Sequence, residues 1–248
     1  MKKVRLDTLL VERGLFASPE EALRAVLAHE VKVDDAYATS AAQKVSPDAD
    51  IWVKGQQAYV SRGGVKLAAA LDAFDQDVNG LRCLDAGCST GGFTDCLLQA
   101  GAASVTCVDV GYGDLAWKLR QDPRTEVFER TNIRTADPES LGAPFDLIVA
   151  DLSFIGLASL AGVFARLSRP GSVFIGLVKP QFESHHDETD RGVVRDEAVR
   201  ARTVVEVKDA LESAGFRCAG VIESPIKGRQ AGKTEYLVRA VMDDPSAL

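Results

Sequence analysis

Apolar positions change their period along this chain. Over residues 5–13, Leu6, Leu9 and Leu10 share one helical face, and the stretch stops at Gly14, a natural helix C-terminus. Ser18-Pro19-Glu20-Glu21 supplies an N-cap hydroxyl, a proline at the first helical position and a capping-box glutamate, which predicts a helix to about Ala28. Val31 and Val33 alternate around Lys32 and run into a turn at Asp34-Asp35, and another short strand is expected at Ile51–Val53. Residues 1–58 thus read as a small α+β module, too short to bury much surface alone.

From Leu81 onward, strands alternate with helical stretches. Strands are expected near 81–85, 104–109, 125–128, 145–150, 172–178, 216–223 and 234–241. Phe145–Ala150 and Val173–Val178 are nearly continuous apolar runs, as a parallel sheet covered on both faces requires. The spacing predicts a doubly wound α/β domain over 59–248, with no internal repeat.

Its first strand ends in a glycine-rich turn, Leu84-Asp85-Ala86-Gly87-Cys88-Ser89-Thr90-Gly91-Gly92-Phe93-Thr94, which then opens a helix. Glycines there allow backbone to approach a ligand at the carboxyl end of the strand. A pyrophosphate site would read G-x-G-x-x-G, and Asp85 ahead of the first glycine suits a cation better. Asp109, at the end of the second strand, lies about where an acid meets ribose hydroxyls. Acids near both a ribose and a cationic group suggest S-adenosylmethionine. Asn132, beyond the third strand, is either an adenine contact or a loop cap.

In such a domain the chemistry lies outside the carboxyl ends of the strands. The fourth strand ends at Asp151-Leu152-Ser153-Phe154 and the fifth at Lys179-Pro180-Gln181-Phe182-Glu183. Asp151 is a candidate reacting group or the N-cap of a helix starting at Phe154 or Ile155. A lysine closing a buried strand points to an ion pair or a catalytic role. Ser61-Arg62-Gly63-Gly64-Val65-Lys66-Leu67 precedes an expected helix over 68–74, and Gly232-Lys233-Thr234-Glu235-Tyr236 opens the last strand. By spacing alone Lys66 and Glu235 are ordinary surface charges.

Of 248 residues, 46% are hydrophobic and 26% charged, a globular composition that excludes disorder and collagen. Lys plus Arg at 29 against Asp plus Glu at 36 gives a net charge of −7, so nucleic acid is not held by bulk charge. No run approaches a membrane span, and Arg5, Asp7 and Glu12 stand where a leader needs apolar residues, so a cytoplasmic protein is expected. The five cysteines, Cys83, Cys88, Cys96, Cys107 and Cys218, form no C-x-x-C pair and read as reduced thiols. His185-His186-Asp187 reads as a polar loop rather than a metal site. Arg191, Arg195, Arg200, Arg202, Lys227, Arg229 and Lys233 are candidates for phosphate contact, with a solvated helix face as the alternative for Arg200 and Arg202.

The strings SRGGVKL, LDAGCSTGGFTDCLLQAGA, VDVG, DLSF, VKPQFE and GVVRD resemble the haemolysin-A/TlyA family of ribosomal RNA 2′-O-methyltransferases, whose catalytic domain is FtsJ-like. The resemblance spans essentially the whole chain. It implies a Rossmann-like sheet of seven strands with the last antiparallel, and S-adenosylmethionine held by Asp85, Gly87, Ser89, Thr90, Gly91, Gly92, Phe93, Asp109 and Asn132. It implies a catalytic tetrad of Lys66, Asp151, Lys179 and Glu235 around a ribose hydroxyl, that of cytidine; which of the four is the base stays open, with Lys179 the candidate. Ribosomal RNA or ribosomal subunits are the implied partners, met by a monomer without metal or membrane, and residues 5–58 look like a ribosomal-protein-type RNA-binding module. Two departures stand out. Residues 1–60 carry a net charge of −1, which weakens the expected grip on RNA, and Lys233 replaces the family's Asn two residues before Glu235. A catalytically inactive ribosome-assembly factor, a membrane-active haemolysin and a small-molecule methyltransferase are the rival readings. The intact tetrad, the lack of a spanning segment and the appended module weigh against them in turn.

Overall fold

A computed structural model describes residues 3–34, 36–47, 49, 51–55, 58–226 and 233–244. The chain divides into two compact units, one reaching Ala58 and the other beginning at Tyr59.

The first unit holds helices at Leu6–Glu12 and Pro19–Leu27. Strands Val4–Arg5 and Lys44–Val45 pair antiparallel, and Val31–Val33 lies between Ala36–Tyr37 and Ile51–Val53. The Ser18 hydroxyl accepts the Glu21 N–H at 3.3 Å, while the Glu21 carboxylate accepts from Ala17 N, one residue before the cap. Leu6, Leu9, Leu10, Ala22, Ala25, Val26, Val31 and Val53 fill its core. Asp35, the second residue of the expected turn, is outside the described residues.

The second unit is built on seven strands: β1 (Arg82–Ala86), β2 (Ser104–Val108), β3 (Thr125–Phe128), β4 (Phe145–Ala150), β5 (Ser168–Val178), β6 (Phe216–Glu223) and β7 (Tyr236–Met242). Their order in the sheet is β6-β7-β5-β4-β1-β2-β3, with β7 antiparallel to both of its neighbours. Helix α1 (Arg62–Ala73) precedes β1, and helices α2 (Gly92–Gln99), α3 (Trp117–Arg120), α4 (Ala161–Arg166), α5 (Pro180–Glu183) and α6 (Glu197–Ser213) lie between strands. Successive strand side chains point to opposite faces, and both faces are covered. Cys83, Leu147 and Val149 pack with Leu67, Leu71, Phe93 and Leu97 of α1 and α2, whereas Leu84, Ile148 and Phe174 pack with Phe164 of α4 and Val207 and Leu211 of α6.

Three local expectations change. The helix expected over 68–74 begins at Arg62, because Gly63-Gly64 is helical and not a break. A Cβ on Gly64 would come 2.2 Å from the Tyr59 ring, so the glycine serves close packing. No helix starts at Phe154. A 3-10 turn spans Ala158–Leu160 and leads into α4, so Asp151 is not its cap. His186–Glu188, expected as loop, is a 3-10 turn. All five cysteines are free, four of them buried.

Candidate active site

The site is assembled by strand register. Ala86 pairs with Ala150, so the first glycine after β1 and Asp151 after β4 leave the sheet side by side. Asp151 N donates to Ala86 O at 3.1 Å, and a Cβ on Gly87 would lie 2.8 Å from Asp151 O. Val178 of β5 pairs with Tyr236 of β7, and continuing that antiparallel register by one residue sets Lys179 opposite Glu235. Helix α1 brings Lys66.

These four side chains form two ion pairs at one end of the sheet. Lys66 Nζ meets Glu235 Oε2 at 2.6 Å, with both side chains nearly sealed from water. Lys179 Nζ meets Asp151 Oδ1 at 2.6 Å and donates to Ser153 Oγ at 3.2 Å. The Asp151 side chain is 24% exposed against 5% for Glu235, so solvent reaches the Lys179–Asp151 pair first. An ammonium has three N–H donors, and two of those on Lys179 are engaged. Phe154, at φ +67, is 92% exposed, and its ring lies 5.5 Å from that of Phe182. Ser153 and Phe154 carried no role by spacing, although both sit inside the quoted DLSF string.

The glycine-rich turn is organised more by protein contacts than expected. Gly91, at φ +93, would meet Leu119 and Leu115 with a Cβ, and Gly92 would meet Ser61 Oγ at 2.2 Å and Gly64 N at 2.9 Å. Their lack of side chains lets α3 and α1 close against the turn. Phe93 is 3% exposed and belongs to the core, so only its backbone can serve a ligand. Ser89, at φ +46, and Thr90 are exposed at the tip. Asp109 fixes that tip: Oδ2 accepts Ser89 N at 2.8 Å and Oδ1 accepts Gly111 N at 2.7 Å. Each of its oxygens keeps a second lone pair for a hydroxyl donor.

Asp85 is fully buried beneath the turn. Its Oδ2 accepts both the N–H and the hydroxyl of Thr94, at 2.9 and 2.6 Å, while Oδ1 is buried without a hydrogen-bond partner. Burial pushes its pKa up to about 7, against the Thr94 hydrogen bonds, and the nearby Asp151 adds to the rise. Asn132 Oδ1 accepts Arg134 N at 3.1 Å, a local loop cap, so an adenine contact would rest on its amide nitrogen.

Most of the arginines proposed for phosphate are held internally. Arg195 pairs with Asp190, Arg202 with Glu188 and Glu206, and Arg200 donates to the carbonyls of Val194 and Arg195. Lys227, Arg229 and Gly232 of the last motif are outside the described residues. Among the described residues no group of three His, Cys, Asp or Glu is arranged to hold a metal ion, and no helix is long and apolar enough to cross a membrane.

The family model for the FtsJ-like methyltransferases matches residues 59–241. The chain belongs to the FtsJ-like methyltransferase family. It is 44% identical over 240 residues to the 16S/23S rRNA (cytidine-2′-O)-methyltransferase TlyA of Mycobacterium tuberculosis, covering 96% of this chain and 89% of the relative. Hemolysin A of Brachyspira hyodysenteriae is 34% identical, with 96% of this chain and 100% of the relative covered. A solved structure from Streptococcus thermophilus, described as a candidate hemolysin, superposes with a TM-score of 0.77 at 36% identity over 98% of this chain and 90% of its own. This FtsJ-like methyltransferase therefore carries the Lys179–Asp151 pair where the fold places chemistry, at the carboxyl ends of β4 and β5, and the Lys66–Glu235 pair between α1 and the residue preceding β7.

Proposed function

We propose that the chain transfers a methyl group from S-adenosylmethionine to the ribose 2′-hydroxyl of a cytidine in ribosomal RNA. The observation that carries this reading is the Lys179–Asp151 pair, open to solvent beside the glycine-rich turn and backed by Lys66–Glu235, in a chain 44% identical to TlyA. The residues present suit the cofactor. Ser89 and Thr90 are exposed, Asp109 can accept from ribose hydroxyls, and a cationic ligand over the turn would favour the ionised form of Asp85, whose buried Oδ1 is unpartnered.

The cofactor supplies a sulfonium-activated methyl group, and the chain must supply aim and a destination for a proton. Lys179 directs its remaining N–H at the ribose oxygen. For the pair to act as base, Lys179 passes a proton to Asp151 across their 2.6 Å contact and then takes the hydroxyl proton as the oxygen–methyl bond forms. Ser153 keeps the ammonium aimed, and Lys66 with Glu235 walls the site on the other side. Exposed Phe154 offers a flat face on which an unstacked base can rest.

Residues 5–58 act as the RNA-binding module, with a modest and salt-sensitive grip because their charge is nearly balanced. The protein works as a monomer in the cytoplasm, where ribosomal RNA is found. Incubating the purified protein with ribosomal subunits and methyl-labelled S-adenosylmethionine should yield alkali-resistant 2′-O-methylcytidine. Label in bases or protein, or none, overturns the reading, and lysis of erythrocytes by the pure protein would favour the haemolysin alternative.

A further inference from the structure

Glu183, the last residue of α5, bears no part in the tetrad, yet its carboxylate leaves its own loop to grip another. Oε1 accepts Leu157 N at 2.6 Å, and Ala158 N also donates to this carboxylate. These are N–H groups at the start of the 3-10 turn, where no intrahelical partner exists. A Cβ on Gly156 would lie 2.5 Å from Oε2 and 3.0 Å from Phe182 O, so the latch needs a glycine there. Burial raises the pKa of Glu183, and Glu206 of α6 adds to the rise, so this is a costly place for a carboxylate.

The segment it grips is the one carrying Asp151, Ser153 and Phe154. The segment it grows from carries Lys179 and Phe182. The two loops therefore meet at Lys179–Asp151, at Phe154–Phe182 and at Glu183–Leu157. We infer that Glu183 is a positioning residue for methyl transfer: with Gly156 it latches the loop after β4 to the loop after β5 and so holds Asp151 and Lys179 at bonding distance. The inference rests on the methyl-transfer reading above. A displacement of about 1 Å at a reacting group costs on the order of a hundredfold in rate.

Single-turnover methylation of ribosomal RNA tests it. Glu183→Ala should lower the rate at least tenfold while the dissociation constants of S-adenosylmethionine and RNA stay within twofold. Glu183→Gln, which keeps an acceptor for Leu157 N, should stay within threefold of the wild type. Gly156→Ala, which puts a methyl 2.5 Å from Oε2 and so displaces the carboxylate, should reproduce the Ala loss, and the double variant should be no slower than either single one. A wild-type rate in Glu183→Ala, losses that multiply, or cofactor affinity falling in step with rate would each overturn the latch. Should the wild-type protein methylate no ribosomal RNA, the functional reading fails separately. A crystal structure of Glu183→Ala then decides the latch: separation of Lys179 from Asp151 supports it, and an unchanged contact overturns it.

Discussion

Asp85 keeps its proton to about pH 7 in the folded chain, whereas an ordinary aspartate loses it near 3.8. The folded state binds the extra proton between those values, so stability falls as pH rises through that window, and above it the buried charge costs on the order of 4 kcal/mol. Asp85→Asn mimics the protonated acid and still accepts from Thr94. Its melting temperature should equal that of the wild type near pH 4 and exceed it at pH 8.5, and a constant difference would remove the buried-charge account. Lys66 and Glu235 pose a different question, because removing one partner of a buried pair costs about 3–5 kcal/mol while replacing both with apolar residues is often neutral. Lys66→Met should therefore lower the denaturation midpoint strongly, and Lys66→Met with Glu235→Leu should recover it without recovering methylation. Recovery of activity as well would make the pair purely structural. At Lys179, arginine keeps the charge but cannot give up a proton at accessible pH. Lys179→Arg should bind S-adenosylmethionine and RNA normally and turn over at least a hundredfold more slowly. Substantial turnover in that variant would leave Lys179 a positioning charge.

At the scale of elements, the packing of α1 on α2 depends on glycines that read from sequence as ligand-facing. Gly92→Ala would press a methyl onto Ser61 Oγ and Gly64 N, so it should destabilise the protein by about 1–3 kcal/mol, as overpacked contacts do. Adding Ser61→Ala should restore part of that loss, since it removes the hydroxyl but leaves the backbone nitrogen in place. Chemical denaturation of the single and double variants measures both, and a fully stable Gly92→Ala protein would return that glycine to the ligand. Apolar patterning placed every strand of the sheet to within a few residues, and continuous apolar runs marked β4 and most of β5. The start of α1 was hidden by Gly63-Gly64, whose low helix propensity is overridden by the contact with Tyr59.

Across the whole molecule, the second unit has its own two apolar clusters, and neither contains a residue of the first. A chain lacking residues 1–58 should fold and keep its affinity for S-adenosylmethionine by calorimetry, yet methylate ribosomal subunits more slowly and with a smaller salt dependence. Full activity on subunits would show that the first unit is not the RNA reader. The sequence by itself determined the order of strands and helices, the glycine-rich turn after β1, and which polar residues end β4 and β5, because each follows from a period or punctuation within a few neighbouring positions. Spacing alone left Lys66 and Glu235 as ordinary surface charges, and the family motifs singled them out. Only tertiary structure brings these residues, 169 positions apart, into one buried ion pair, gives Gly91 and Gly92 to helix packing, and ties Glu183 to the opposite loop. Those contacts depend on which strands become neighbours and in what register, and that is decided by the packing of the entire sheet rather than by any local stretch of chain.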